Sequence, residues 1–298
     1  MLGKLPPFDY YLPETLEEAL ALLDRHDGEL SLLAGGTDLL VRMKERQLIR
    51  RVLVDIKRIP GLGAIRLEKG ALCLGGSATT RAIARSPLVR GGFPLLSQAL
   101  QVLGSMQIGN RATIGGNLSN ASPAADSAPP LLVLGASVKL MGARGERKVP
   151  LENFFLGPGK TVMDREMLTE IQIPAAPAQG RAVFYKLGLR AAPEDIALVS
   201  VALFGVPDAG EKNWQDIRIA LGAVAPTAIR ALHAEEALRG QPIGRKSAAD
   251  ASRLAAEKDS NPITDIRASA GYRRAMVELL VRRALEQATR EIPGASKL

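Results

Sequence analysis

One segment, residues 112–126, constrains this chain more than any other. It packs two glycines, two asparagines, two serines, a threonine and a carboxylate into a single turn region. So many small polar groups do not suit a buried core, and the apolar run Leu131–Leu134 that follows argues against a disordered linker. A loop of this composition favours a polar, phosphate-bearing ligand bound against its backbone. Together with the earlier segment Leu32–Asp38, it makes cofactor binding the leading hypothesis.

A strand-like run followed by paired glycines and a small polar residue occurs three times, at residues 35–37, 75–77 and 115–117. Glycine permits positive φ and close backbone approach, so successive amides can converge on an anion, and a following helix adds its positive N-terminal end. The alternative is a simple tight turn, and we interpret residues 75–76 in that way. The segment at residues 35–38 matches neither the Rossmann fingerprint nor a P-loop.

The side chains that follow the third glycine pair indicate what kind of ligand would fit. They are Asn117, Asn120, Ser122 and Asp126. Neutral donors with one acceptor carboxylate suit a ribityl chain, a pyrophosphate and ribose hydroxyls. The two histidines, His26 and His233, lack partners at ligand spacing, and the single cysteine, Cys73, cannot form a disulfide or hold a metal–sulfur cluster. No nucleophile–base pair can be drawn, so any redox chemistry would belong to a bound cofactor.

The chain carries 39 lysines and arginines against 31 aspartates and glutamates, a formal net charge of +8. We interpret the basic residues as part of the solvent-exposed surface. The second interpretation is that they attract an anionic cofactor or an acidic partner. Nucleic-acid binding is not expected, because aromatic residues make up only 4% of the chain and do not interleave with the basic runs.

The N-terminus lacks the apolar region of a signal peptide and no run could span a membrane, so we expect a cytoplasmic protein without membrane insertion. Export with a signal-bearing partner stays open.

Hydrophobic patterns predict an α+β chain of two domains. The first, residues 1–175, would bind the cofactor and comprise a small α/β lobe, about 1–58, and a larger α+β lobe, about 59–175. The segment Pro174–Gly180 has linker composition. The second domain, residues 180–292, would combine a three-stranded sheet with a helical bundle.

Several local features follow from the same patterns. Thr15 and Glu18 form the capping box of a first helix, and Asp126 is placed to cap a short helix that contains Leu131–Leu134. Three C-terminal helices are predicted, at residues 227–239, 247–258 and 268–291. The third of these helices, residues 268–291, has an apolar stripe that is predicted to face the core. Arg273 does not belong to the stripe, so we expect it to lie outside the buried face. The stripe comprises Tyr272, Met276, Leu279, Leu280 and Ala284.

The two glycine motifs, residues 33–38 (LAGGTD) and 113–126 (TIGGNLSNASPAAD), resemble the flavin-contacting motifs of the FAD-binding subunits of molybdenum hydroxylases. This group includes the xanthine dehydrogenase, carbon monoxide dehydrogenase and 4-hydroxybenzoyl-CoA reductase types. Residues 184–190 (FYKLGLR) and 266–273 (IRASAGYR) are also similar to segments of that family, and the resemblance spans nearly the whole chain. With Cys73 alone, the chain cannot hold the additional iron–sulfur centre of the 4-hydroxybenzoyl-CoA reductase type.

The resemblance implies a set of FAD contacts and no catalytic side chain. Around the pyrophosphate it places Leu32, Leu33, Ala34, Gly35, Gly36, Thr37 and Asp38. Along the flavin and its ribityl-diphosphate chain it places Thr113, Gly115, Gly116 and Asn117, and on the adenosine side Asn120, Ser122 and Asp126. Leu103, an aromatic residue in some relatives, and Leu168 would pack against the isoalloxazine, with Lys186 near the ring or the phosphates. The alternatives are that Asp126 is only a helix cap and Lys186 only a solvated strand residue.

The resemblance also implies partners. A large molybdopterin-binding subunit and a small [2Fe–2S] subunit would complete a dimer of heterotrimers. Electrons would pass from the iron–sulfur centres through FAD to an acceptor such as NAD or a quinone, and the loop 190–195 with Pro193 could govern access of that acceptor. A stand-alone FAD-dependent oxidoreductase and a flavin-free basic scaffold are the rival interpretations.

Overall fold

Three main sheets, one in each of three lobes, organise the protein. The computed structural model describes residues 4–290, apart from residues 27, 176, 178, 191 and 193. The architecture is α+β, as predicted. The apolar core of the middle lobe continues into the C-terminal sheet through Phe184 and Phe204, so these two lobes pack on each other. Among the described residues, no helix is long and apolar enough to cross a membrane.

The first lobe is a parallel sheet of strand order β1-β3-β2 with two helices. Its elements are β1 (Asp9–Tyr11), α1 (Leu16–Arg25), β2 (Leu30–Leu33), α2 (Leu39–Lys44) and β3 (Val52–Asp55). Thr15 caps α1 as predicted, because its Oγ1 accepts a hydrogen bond from the amide of Glu18 at 3.2 Å. The Glu18 carboxylate accepts from the amide of Glu14, one residue before the position that a standard capping box uses.

The middle lobe is built on an antiparallel sheet of order β4-β5-β10-β6-β7 and contains six helices among the described residues. Its strands are β4 (Ile65–Glu68), β5 (Ala71–Gly75), β6 (Ser137–Gly142), β7 (Gly145–Pro150), β8 (Phe155–Gly157), β9 (Lys160–Thr161) and β10 (Glu166–Ile173). Its helices are α3 (Thr80–Arg85), α4 (Pro87–Gly92), α5 (Pro94–Gln101), α6 (Met106–Gly109), α7 (Ile114–Ser119) and α8 (Ala128–Val133).

The segment 112–126 differs from the open turn region that its composition suggested. It contains α7, and Thr113 caps this helix by accepting a hydrogen bond from the amide of Gly116 at 3.1 Å. The third glycine pair therefore lies in the first turn of a helix and follows no strand, since residue 113 makes only an isolated bridge with Thr79. Two adjacent glycines lower helix propensity, which is why the pattern resembled a loop.

The C-terminal lobe has a sheet of order β11-β12-β13-β14 covered by helices. Its elements are β11 (Arg181–Gly188), β12 (Ala197–Pro207), β13 (Trp214–Gly222), β14 (Ile229–Arg230), α9 (Leu232–Leu238), α10 (Arg245–Leu254) and α11 (Ala270–Arg290). The predicted three-stranded sheet thus has a fourth, two-residue strand. Because β14 pairs with β13, α9 begins later than predicted.

Two polar residues have roles that the sequence patterns did not predict. Asp126 does not cap α8, whose N-cap Ser127 makes no side-chain capping bond, because the Asp126 carboxylate is paired with Lys186. Arg273 is buried, although the stripe on α11 placed it outside the core. Its guanidinium donates to the carbonyl O of Leu198 at 2.7 Å and of Ala223 at 3.2 Å. Helical periodicity does not reveal such pairing with distant carbonyls.

Candidate functional site

A cleft with a volume of about 630 Å³ lies between the first and middle lobes. One wall is the bend after β2, with Gly35 and Gly36, and the opposite wall is the start of α7, with Thr113, Gly115 and Gly116. Asn120 Nδ2 donates a 3.2 Å hydrogen bond to Asp38 Oδ1 and so joins the two motifs directly. The two glycine motifs, which are about eighty residues apart in the chain, therefore face one cavity of a size typical of cofactor sites.

Close backbone contacts explain the glycines on both walls. A Cβ on Gly35 would collide with the backbone carbonyl O of Arg111, and one on Gly115 would lie 2.5 Å from the carbonyl O of Gly76. Gly36 has a φ of +77°, which side chains other than glycine rarely adopt. The glycines thus allow the walls of the cleft to approach each other closely.

Gly76 shows that the interpretation of residues 75–76 as only a tight turn was wrong. Gly76 lines the cleft, and its carbonyl O accepts a 2.9 Å hydrogen bond from the amide of Gly115. Residues 75–77 repeat the strand–Gly–Gly–polar pattern of residues 35–37, but the pattern alone does not distinguish a cleft residue from a tight turn. The second glycine pair holds α7 against β5 and so positions the third.

The sequence-predicted site residues divide into two groups. Those that line the cleft are Leu32, Ala34, Gly35, Gly36, Thr37, Asp38, Thr113, Gly115, Gly116, Asn117, Asn120 and Leu168. Those that do not line it are Leu33, Leu103, Ser122, Asp126 and Lys186. Leu33 is buried in the first lobe, and Ser122 Oγ accepts a hydrogen bond from the amide of Ala124. Leu103 faces a second cavity in the middle lobe.

Basic side chains on the cleft were missed by the sequence interpretation. Arg42 on α2, Arg50 before β3 and Arg165 before β10 all line it. They are scattered among acidic neighbours in the sequence, and only the fold brings them to one cavity. The amides of Gly36 and Thr37 donate to no acceptor among the described residues. Free amides and cationic side chains that line the same cavity form a suitable environment for a phosphate group.

Asp126 and Lys186 form a buried ion pair outside the cleft lining. Lys186 Nζ lies 2.6 Å from Asp126 Oδ2 and donates to the carbonyl O of Val102 at 2.7 Å. Burial raises the pKa of Asp126 to about 6, although the Lys186 ammonium opposes the shift. The next residue, Ser127, donates a 2.6 Å hydrogen bond to Oδ1 of Asn117, which lines the cleft.

One atom of this pair is left without a partner. Asp126 Oδ1 is buried and accepts no hydrogen bond from the described residues. A buried carboxylate oxygen without a donor is costly, so such an atom suggests a donor from a ligand. The orphaned oxygen and the glycine-lined walls are the two features of this region that fit a polar, hydroxyl-bearing cofactor.

Two family models together match most of the chain. A model described as the FAD binding domain in molybdopterin dehydrogenase matches residues 6–176. A second, described as the CO dehydrogenase flavoprotein C-terminal domain, matches residues 183–288.

Individual relatives are similar over almost the full length. The carbon monoxide dehydrogenase medium chain of Hydrogenophaga pseudoflava is 36% identical over 284 residues, which cover 95% of this chain and 97% of the relative. A putative xanthine dehydrogenase FAD-binding subunit of Escherichia coli is 31% identical, with coverage of 96% and 97%. The structure superposes on a chain of the H. pseudoflava carbon monoxide dehydrogenase with a TM-score of 0.92, at 35% identity and with coverage of 96% and 98%. For quinoline 2-oxidoreductase from Pseudomonas putida, the TM-score is 0.89 at 30% identity, with coverage of 96% and 98%.

Proposed function

Because the chain belongs to the FAD-binding medium subunits of molybdenum hydroxylase-type dehydrogenases, we propose that it relays electrons within such a complex. Electrons would enter from [2Fe–2S] centres of a small partner subunit and leave to an acceptor such as NAD or a quinone. The observation that carries the proposal is the meeting of both glycine motifs on one cleft. When bound, FAD supplies all of the redox chemistry, and the protein supplies binding and orientation.

The residues present fit FAD in two chemically distinct places. The amides of Gly36 and Thr37, with Arg42 nearby, suit the diphosphate, because free N–H groups and a guanidinium complement its negative charge. The orphaned Oδ1 of Asp126 suits a hydroxyl of the cofactor. The other cleft residues named from the family resemblance, from Leu32 to Leu168, would line the remainder of the cofactor. Contact with the residues of the predicted set that do not line the cleft would require the cofactor to extend beyond its walls; these are Leu33, Leu103, Ser122, Asp126 and Lys186.

The assembly follows from the same proposal. A large molybdopterin-binding subunit and the small iron–sulfur subunit would form a cytoplasmic dimer of heterotrimers with this chain. The FAD-binding domain would comprise residues 1–175, with lobes of about 1–58 and 59–175, and the C-terminal domain residues 180–292. The loop 190–195 would control acceptor access. Arg190 is held there by Asp195 Oδ1 at 2.7 Å, whereas Pro193 lies outside the described residues.

The direct test is the cofactor content of the purified chain. We expect a yellow protein that releases FAD on denaturation, identified by chromatography and quantified against protein concentration. Purification from the native host is expected to bring molybdenum- and iron-containing subunits with it. A colourless, folded protein that does not take up added FAD would contradict the proposal. Full turnover by the chain alone, without partners, would instead indicate a stand-alone oxidoreductase.

The FAD affinity is expected to fall on acidification. If Asp126 Oδ1 accepts a cofactor hydroxyl, FAD binds the ionised carboxylate better than the protonated one. Because the pKa of Asp126 without cofactor is about 6, affinity is greatest above pH 6 and is lost below it. Linkage to one proton predicts a decrease of about tenfold between pH 7 and pH 5. Fluorescence titration of FAD across this range measures the effect.

Asp126→Asn provides the control for this pH dependence. The variant is expected to bind FAD more weakly at pH 7 but with nearly constant affinity from pH 7 to pH 5. A wild-type affinity that does not change over the range, with the protein still folded, would show that the carboxylate does not contact the cofactor.

A further inference from the structure

Three arginines border a second cavity, which lies in the middle lobe and has a volume of about 460 Å³. They are Arg81 and Arg85 on α3 and Arg90 on α4. Arg85 and Arg90 are exposed, and Arg81 is partly buried. Within the part of the chain that the structure describes, none of the three guanidinium groups makes an ion pair. We call the surface formed by these arginines and Met106 the arginine face.

The segment that carries these arginines contains no acidic residue. Residues 69–125 include one lysine and four arginines but no aspartate or glutamate. Elsewhere arginines are paired with carboxylates, as Arg147 is with Glu166 at 2.7 Å and Arg230 with Glu235 at 2.6 Å. The positive potential of the arginine face is therefore not cancelled by neighbours along the chain, and it attracts an anionic partner.

Exposed apolar side chains accompany these charges. Met106 lines the cavity and is 63% exposed, and Ile108 on the same helix, α6, is 41% exposed. Arginine and methionine are both enriched at protein–protein interfaces. Single-stranded nucleic acids are held largely by stacking on aromatic side chains, and no described residue that lines the cavity is aromatic. The composition of the arginine face thus favours a protein with an acidic surface as its partner.

The arginine face lies close to the proposed position of the cofactor. Leu103, which the family resemblance assigns to the isoalloxazine, lines the same cavity. The carbonyl O of the adjacent Val102 accepts a 2.7 Å hydrogen bond from Lys186, which is paired with Asp126, our proposed contact for a cofactor hydroxyl. Electron transfer slows steeply with distance, so a protein that delivers electrons to the flavin has to bind near it. The partner that best fits this face is therefore the electron donor.

We propose that the arginine face is the docking surface for the small [2Fe–2S] subunit, which binds it through an acidic surface next to its cluster. The inference rests on the proposed function, in which that subunit supplies the electrons, and adds the face at which it binds. A [2Fe–2S] cluster held by four thiolates has a net negative charge, which a positive face complements. Complementary charges also speed association and fix the orientation of the two proteins.

The test compares tagged variants of the full chain, each purified with its partners from a host that lacks the native copy. Iron per FAD, measured after gel filtration at low ionic strength, reports the amount of small subunit bound. For Arg85→Gln/Arg90→Gln, we expect this ratio to fall at least about fivefold relative to the wild type. FAD per chain and the unfolding midpoint are expected to stay unchanged. Added salt should lower the wild-type ratio as well, because it screens exposed charges.

Arg282→Gln/Arg283→Gln is the matched control. It removes the same charge from two exposed side chains of α11 that do not line the cavity. This variant is expected to keep the wild-type ratio of iron to FAD.

Three results would overturn the inference. They are a wild-type ratio of iron to FAD in Arg85→Gln/Arg90→Gln, equal losses in the two double variants, or loss of molybdenum with iron retained. The last result would reassign the arginine face to the large subunit. A wild-type protein that lacks FAD, or that brings no iron-containing subunit with it, would instead contradict the proposed function, so the two failures can be distinguished.

Discussion

Replacing Gly35 with alanine is expected to give a folded protein that has lost most of its FAD. The new Cβ would collide with the backbone carbonyl O of Arg111, which belongs to the opposite side of the cleft. Neither atom is at the end of a flexible side chain, so the two walls must separate. Overpacking of this kind costs roughly 1–3 kcal/mol. Because the displaced backbone also lines the cofactor cleft, we expect the FAD affinity to fall by at least about tenfold.

Gly63→Ala is the matched control for this experiment. Gly63 lies between β3 and β4, outside the cleft lining, and its φ is not positive. A methyl group added at Gly63 would meet no other atom within 4 Å. The variant is therefore expected to retain wild-type FAD content and thermal stability. Cofactor content after gel filtration and the unfolding midpoint of both variants provide the comparison. Full FAD occupancy in Gly35→Ala would show that the bend after β2 does not hold the cofactor.

The glycine motifs illustrate what the sequence can predict about this site. A strand that ends in two glycines and a hydroxyl residue predicts a close backbone approach, and at Gly35 the approach exists. The pattern does not reveal the atom that is approached. For Gly115 this atom is the carbonyl O of Gly76, in a glycine pair that local patterns alone could not distinguish from a tight turn. Which motifs meet is decided by tertiary packing within and between the lobes.

The charged residues show where sequence interpretation fails. Arg273 is placed by helical periodicity on the exposed side of α11, yet its guanidinium is buried because it satisfies two backbone carbonyls from different parts of the chain. Asp126 precedes a proline-rich helix and resembles an N-cap, but its partner Lys186 is 60 positions away in the chain. Periodicity and capping rules describe interactions within one element. Ion pairs between elements depend on the tertiary fold and leave no local pattern.

The Asp126–Lys186 pair permits an experiment that separates structural from cofactor-binding roles. Asp126→Val or Lys186→Met alone removes the opposite charge from a buried ionisable group, so each single variant is expected to lose about 3–5 kcal/mol of unfolding free energy. The double variant replaces the pair with apolar side chains, an exchange that is often neutral or stabilising. It should therefore recover most of the lost stability. Urea denaturation of the four proteins of this cycle measures the coupling.

The FAD affinity of the same four proteins is expected to follow a different pattern. Asp126 Oδ1 is the atom without a donor among the described residues, and its contact with the cofactor cannot be restored by a second substitution. The double variant should therefore be nearly as stable as the wild type and yet bind FAD as weakly as Asp126→Val. If its FAD affinity recovers together with its stability, Asp126 serves only to neutralise Lys186, and the orphaned oxygen faces no cofactor group.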